Sequence, residues 1–310
     1  MSCYNQNYFR NIVLKDKSLK QRFAHLMQRF LFLCTFVLIF TSYLHAEKLS
    51  LGLHKYITNF NTSQKDFHIA MQVFIKEITD AAGVEYAVVF YEDITLLAKD
   101  FHEKKVNLVV AEPLNFIKYF NENELSSGLM AYKTSKEESL RLLVLGRKDD
   151  KRDFNEKLRG ALAFNEDMSI DLFIKTLRLE KGIKNAEPLI KTTNHQQSIL
   201  KLFFKKADLA LVDLASYQLA IQLNPQIKEN TVILQSIPLS LESLGYFHKD
   251  ISDEFRKKIF DAANYINNSE RGNQFLMLLR ASKIDFTDVK ELDSIRELQK
   301  RYTKLLSQGK

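Results

Sequence analysis

Apolar residues along this chain recur in two rhythms that take turns. Residues 48–53 (KLSLGL) alternate with a period of two, which predicts a strand. Phe67, Ala70, Met71, Phe74, Ile75 and Ile78 then recur at helical spacing. Asn61, Thr62 and Ser63 offer N-caps for that helix, and Gly83 closes it. Residues 84–90 predict a second strand, 92–105 a helix, 106–110 a third strand and 113–120 a helix with Pro113 in its first turn. Strands that alternate with helices in this way predict a doubly wound, layered α/β fold.

The alternation continues with strands at 139–145 and 161–164, a helix at 169–181 ended by Gly182, and a helix at 194–206. A strand at 209–212, a helix at 214–223 and strands at 231–235 and 244–247 follow. Three helices close the chain, at 252–267, 269–281 and 291–306; Ser252 with Glu254 behind it is a sound helix start. There is no internal repeat and no low-complexity stretch. The polar segments near 133–138 and 236–242 are the expected crossings between two lobes, the first made of 47–135 with 240–310 and the second of 138–236.

One stretch fits neither rhythm. Residues 30–43 (FLFLCTFVLIFTSY) are almost uniformly apolar, with Arg22 and Arg29 before them and Leu44-His45-Ala46 after. Basic, apolar, then small at the exit is the order of a secretory signal. The run is shorter than the roughly 20 apolar residues of a spanning helix. Residues 1–46 are therefore expected to be an export signal cleaved after Ala46. A compact signal over 27–46, with 1–26 an upstream extension, fits the same pattern, and an uncleaved anchor is the alternative.

This segment changes the meaning of the charge. The 310-residue chain carries 45 Lys and Arg against 38 Asp and Glu, a formal +7 that invites a nucleic-acid partner. Arg10, Lys15, Lys17, Lys20, Arg22 and Arg29, against Asp16 alone, put most of that excess in the first 46 residues and leave residues 47–310 close to neutral. A nucleic-acid partner is therefore not expected. Both cysteines, Cys3 and Cys34, also lie in this segment. The remainder has no thiol to misoxidise in an oxidising periplasm, and no means of thiol catalysis or cysteine metal ligation.

Several landmarks, in order over nearly all of 47–310, resemble type II periplasmic solute-binding proteins, in particular the phosphate/phosphonate-binding branch that serves ABC importers. The opening strand with His54-Lys55-Tyr56 resembles that family's first strand and ligand-side loop. Tyr91 and the stretch from Lys105 through Val109-Val110-Ala111-Glu112-Pro113-Leu114 resemble its second and third units. His195, heading the helix that runs into Lys206-Ala207-Asp208-Leu209-Ala210, is similar to its histidine helix. Ile233-Leu234-Gln235-Ser236-Ile237-Pro238 resembles its return strand. Lys249 through Ile259 and Phe286-Thr287-Asp288-Val289 through Arg296 resemble its final-lobe helix start and closing segment.

The resemblance implies a two-lobe type II periplasmic binding protein fold, each lobe a mixed or parallel sheet flanked by helices, with a small solute captured at the strand ends between the lobes. It also implies a Ser/Thr/Gly-rich turn opening a second-lobe helix, whose free N–H groups hold an anion. The matching stretch, Asn165-Glu166-Asp167-Met168-Ser169, departs from that pattern. Ser169 keeps a hydroxyl, but Glu166 and Asp167 put carboxylates where the anion would sit and compete for the same N–H groups. Asp167 or Ser169 as a plain helix cap is the alternative. The other candidate ligand residues are Tyr56, Tyr91, Glu112, His195 and Asp213. Each has an ordinary counterpart: a rim tyrosine with a wet hydroxyl for Tyr56 and Tyr91, an acidic first-turn residue for Glu112, a surface or capping-region histidine for His195, and a helix cap for Asp213.

Catalytic motifs are lacking: no HExxH, GxSxG, Walker loop or GxGxxG occurs, and the seven histidines form no i,i+4 metal pair. The expectation is a non-enzymatic, cofactor-free, monomeric periplasmic protein. It would capture a small, oxyanion- or phosphonate-like solute and deliver it to the membrane permease of an ABC importer. The alternative is a ligand sensor that signals to a membrane receptor. Intact-mass measurement of the periplasmic form is expected to give a chain beginning at Glu47; retention of residues 30–46 would overturn the cleavage expectation.

Overall fold

Strands with apolar residues on both faces need cover on both faces, and here helices supply it twice over. The computed structural model describes residues 48–54, 64–132, 141–239, 243–278 and 281–309. The proposed signal segment, the caps at 61–63, Tyr56 and the crossing at 133–138 lie outside them.

The first sheet is built from β1 (Leu49–His54), β2 (Tyr86–Tyr91), β3 (Leu108–Ala111), β4 (Leu125–Tyr132), β10 (Leu244–His248) and β11 (Lys283–Thr287), in the spatial order β11-β4-β10-β3-β1-β2. β1 pairs in parallel with β2 and β3, whereas β10 and β11 pair antiparallel with their neighbours. The second sheet takes β5 (Arg141–Arg147), β6 (Leu162–Asn165), β7 (Leu189–Thr192), β8 (Leu209–Asp213) and β9 (Thr231–Pro238), in the order β7-β6-β8-β5-β9. Here β6 is parallel to β7 and β8, and β5 runs antiparallel to β8 and β9. The fold is two mixed sheets flanked by helices.

Each sheet is covered on both sides. Helices α1 (Gln64–Ala82), α9 (Asp253–Asn267) and α10 (Glu270–Leu278) cover one face of the first sheet, with Phe74 stacked on Phe275 at 3.5 Å between centroids. Helices α2 (Ile94–His102) and α3 (Pro113–Tyr119) cover the other through Leu97, Phe101 and Phe116. In the second sheet, Leu142 and Val144 of β5 face α4 (Phe154–Arg159) and α5 (Met168–Glu180), while Leu143 and Leu145 face α6 (His195–Phe203), α7 (Leu214–Leu223) and α8 (Gln226–Asn230). Burial on both faces is why β5 reads as an unbroken apolar run.

The last helix, α11 (Asp293–Ser307), joins the two halves. Its Ile295 and Leu298 share one core with Leu114 of α3 and with Ile170 and Ile174 of α5. Arg296 pairs with Glu122, and Arg301 donates to Glu180 at 3.0 Å through Nε.

Five elements are not legible in the hydrophobic pattern: β4, β7, β11, α4 and α8. β4 (LSSGLMAY) carries Ser-Ser-Gly directly after its first residue, which reads as a turn. It is nonetheless an inner strand, because Gly128 lets it approach β10 closely: a Cβ at Gly128 would lie 1.7 Å from the carbonyl oxygen of Gly245. Backbone cannot give way like a side chain. Gly128→Ala is therefore expected to destabilise the protein by about 3 kcal/mol, seen as a lower urea midpoint with an unchanged slope; an unchanged midpoint would refute the close packing.

Candidate functional site

The parallel strands β1, β6, β7 and β8 end in polar residues, His54, Asn165, Thr192 and Asp213, and β3 is followed by one, Glu112. β6 ends at Asn165, and after Glu166 the chain turns into α5 at Asp167. The turn leaves the first N–H groups of α5 without intrahelical partners, and Asp167 takes them. Its Oδ1 accepts from Ser169 N at 2.7 Å and Ile170 N at 3.0 Å. Burial pushes the Asp167 carboxyl up; those hydrogen bonds and the nearby His195 work against the shift. Glu166 instead points outward, accepting from Lys191 Nζ at 2.8 Å.

Of the sequence candidates on this side, Ser169, His195 and Asp213 are all buried. Asn194 caps α6 by accepting from Gln197 N at 2.9 Å, which sets His195 as the first helical residue. His195 Nε2 lies 3.0 Å from Asp213 Oδ2 and donates to it. Asp213 caps α7, accepting from Ser216 N at 2.6 Å and Ser216 Oγ at 2.8 Å. Among the described residues, His195 Nδ1, Ser169 Oγ and Asn165 Oδ1 are buried without a hydrogen-bond partner. Buried polar atoms are nearly always paired, so three orphans in this region are unusual.

Glu112 comes from the first sheet. It follows β3 and precedes Pro113, so its backbone stands at the N-cap of α3, yet its side chain makes no capping bond. The residue is 7% exposed, and burial, reinforced by the charge of Asp167, pushes its carboxyl up to about 8. Two buried carboxyls near each other do not both ionise easily. Glu112 thus binds an extra proton in the folded state between about pH 4.5 and 8. Stability falls as pH rises through that window, and the loss is complete above it.

Between these elements lies a cavity of about 400 Å³, lined by Glu112 and Leu114, by Phe164 and Asp167, and by Gln299 and Tyr302 of α11. Glu112 and Asp167 thus meet in one space, while Ser169, His195 and Asp213 are not on its lining: Ser169 donates its N–H to Asp167, His195 lies near Asp167, and Asp213 binds His195. Tyr91 is not brought to it. Its ring is buried with Leu97 and Phe101, and its hydroxyl donates to Asp100 Oδ2 at 2.9 Å; burial and that bond push the phenol up to about 12. Sequence reading misses Asn165 and Gln299. Asn165 closes a strand whose polar end could have been noticed, whereas Gln299 is more than a hundred residues distant and no local signal marks it. Among the described residues, no group of three or more His, Cys, Asp or Glu could hold a metal ion, and no helix is long and apolar enough to cross a membrane.

Comparison with known proteins adds to this geometry. A family model described as the periplasmic substrate-binding protein of a phosphonate ABC transporter matches residues 59–292. No curated protein matches the chain. Among solved structures, the binding protein component of an ABC phosphonate transporter from Pseudomonas aeruginosa is similar at 15% identity, over 84% of this chain and 88% of that one, with a TM-score of 0.55. PhnD1 from Prochlorococcus marinus, in complex with methylphosphonate, is similar at 14% identity over 84% and 100%, with a TM-score of 0.55. A Xanthomonas citri protein bound to ATP is similar at 11% identity over 84% and 98%, with a TM-score of 0.57. These likenesses agree with the two mixed, helix-flanked sheets, and the family match spans both sheets: the chain belongs to the family of periplasmic substrate-binding proteins of phosphonate ABC transporters.

Proposed function

We propose that this chain is exported through a cleaved signal and, as a monomer without enzymatic activity, captures a small solute between two lobes for an ABC importer's permease. The lobes are 47–135 with 240–310, and 138–236; the sheets support this division, since the first draws on 49–132 and 244–287 and the second on 141–238. The observation that carries the reading is the meeting of Glu112 from one sheet with Asp167 from the other, backed by buried, unpartnered polar atoms at Asn165, Ser169 and His195. Glu112, Ser169, His195 and Asp213 are the proposed ligand residues. Tyr56, two residues beyond β1, is retained with them on its sequence position. Tyr91 is assigned a supporting role, through Asp100, in fixing α2 beside the strand ends.

The same geometry speaks against a tightly held phosphonate at the α5 terminus. Asp167 already occupies the N–H groups of Ser169 and Ile170, and a second anion beside it would meet a buried carboxyl. Calorimetric titration is expected to give methylphosphonate and inorganic phosphate affinities weaker than micromolar. Sub-micromolar binding by the wild-type protein would contradict this. Asp167→Gly frees both N–H groups at a cap cost of only a few tenths of a kcal/mol, and is expected to strengthen phosphate binding at least tenfold.

The capture reading is tested by native mass spectrometry of protein gently purified from the periplasm. One bound small solute is expected. His195→Ala should weaken its rebinding about tenfold, in line with the 1–3 kcal/mol of a buried polar partner. A protein that never carries a solute, or one that turns it over, would sink the reading.

A further inference from the structure

We infer that the cavity holds a cationic group, a protonated amine or guanidinium, between the carboxylates of Glu112 and Asp167. This deepens the solute-capture reading and rests on it. The argument is a count of donors and acceptors. Glu112 is buried, lines the cavity, and neither of its oxygens accepts a hydrogen bond from any described residue. Asp167 spends Oδ1 on two backbone N–H groups. On α11, Gln299 lines the same cavity, and its Oε1 is buried without a partner. Once Glu112 gives up its proton, both carboxylates are acceptors only, so a ligand held between them must bring donors, and an ammonium or guanidinium brings donors only.

The cations around the cavity do not fill this role. Lys175 Nζ is 2.6 Å from Asp171 Oδ2, and Lys191 Nζ is engaged by Glu166. Lys118, also on the lining, is an exposed residue of α3. His195, beside Asp167, is held by Asp213. From α11 the facing titratable group is Tyr302, whose ring can also lie against a cation. Of all these charges, it is that of Asp167 that acts on Glu112. With the cavity empty, the pair relieves its repulsion by keeping a proton on Glu112. A bound cation replaces that proton, which leaves to solvent as the cation enters.

The test is calorimetric titration with agmatine, which carries both an ammonium and a guanidinium, at pH 7 and pH 8 in two buffers of different ionisation enthalpy, neither a primary amine. Agmatine is expected to bind the wild-type protein with release of up to one proton, about fivefold more tightly at pH 8 than at pH 7, and without displacement by methylphosphonate. Glu112→Gln should abolish the proton release and weaken binding at least tenfold. Its fold is checked without ligand: unlike the wild type, it should not lose stability to urea between pH 5 and pH 8. Failure of millimolar agmatine to bind, binding without proton release, or equal binding by Glu112→Gln overturns the inference. If agmatine fails while a co-purified solute is bound and weakened by His195→Ala, the cation is overturned and solute capture stands; if no solute is found either, both fall.

Discussion

A carboxylate taken out of water must be compensated, and much of this site follows from how Asp167 achieves that. The residue is 5% exposed and sits where β6 turns into α5. The two N–H groups it binds are those the helix cannot satisfy itself. One group thereby solves two problems, its own desolvation and the open end of the helix. The cost is that the positive end of α5 is already occupied. A family whose transporters carry phosphonates has, in this member, an internal anion at a terminus well suited to an external one.

The second carboxyl makes this more than local capping. Glu112 reaches the same cavity from the other sheet, and nothing about α3 requires it to be acidic: Pro113 fixes the helix start, and the Glu112 side chain caps nothing. A core that joins Leu114, Ile170 and Leu298 brings the two residues together, with α11 laid across both halves. Apolar packing thus forces an electrostatic conflict, and the raised proton affinity of Glu112 is its relief.

The framework was legible in the sequence for a simple reason. Helices such as α1 and α9 repeat their apolar residues at a fixed period, and strands such as β1 and β5, buried almost throughout, stand out as short apolar segments, so the sequence carries the order of the fold. β4 was not, because its place beside β10 depends on the absence of a side chain at Gly128, and absence has no period. The caps at Asp167 and Asp213 were legible as residue types at helix starts, and the competition between Asp167 and an external anion followed from them. What no local pattern carried was burial across the two sheets. The conflict of Glu112 with Asp167 and the orphaned amide oxygen of Gln299 exist only once α3, α5 and α11 are packed together.

That origin bears on how such a protein would move. If the two halves part, Glu112 and Asp167 regain water and each can ionise on its own; the repulsion belongs to the approached state. Approach is therefore easy when a proton or another positive charge accompanies it and costly otherwise. Specificity then arises from exclusion as much as from attraction. An anion meets a terminus already capped and a second carboxyl opposite, while a cation removes the one unfavourable term that packing has built in. The apolar core fixes how close the carboxyls come, and their charge decides which solute lets them stay there.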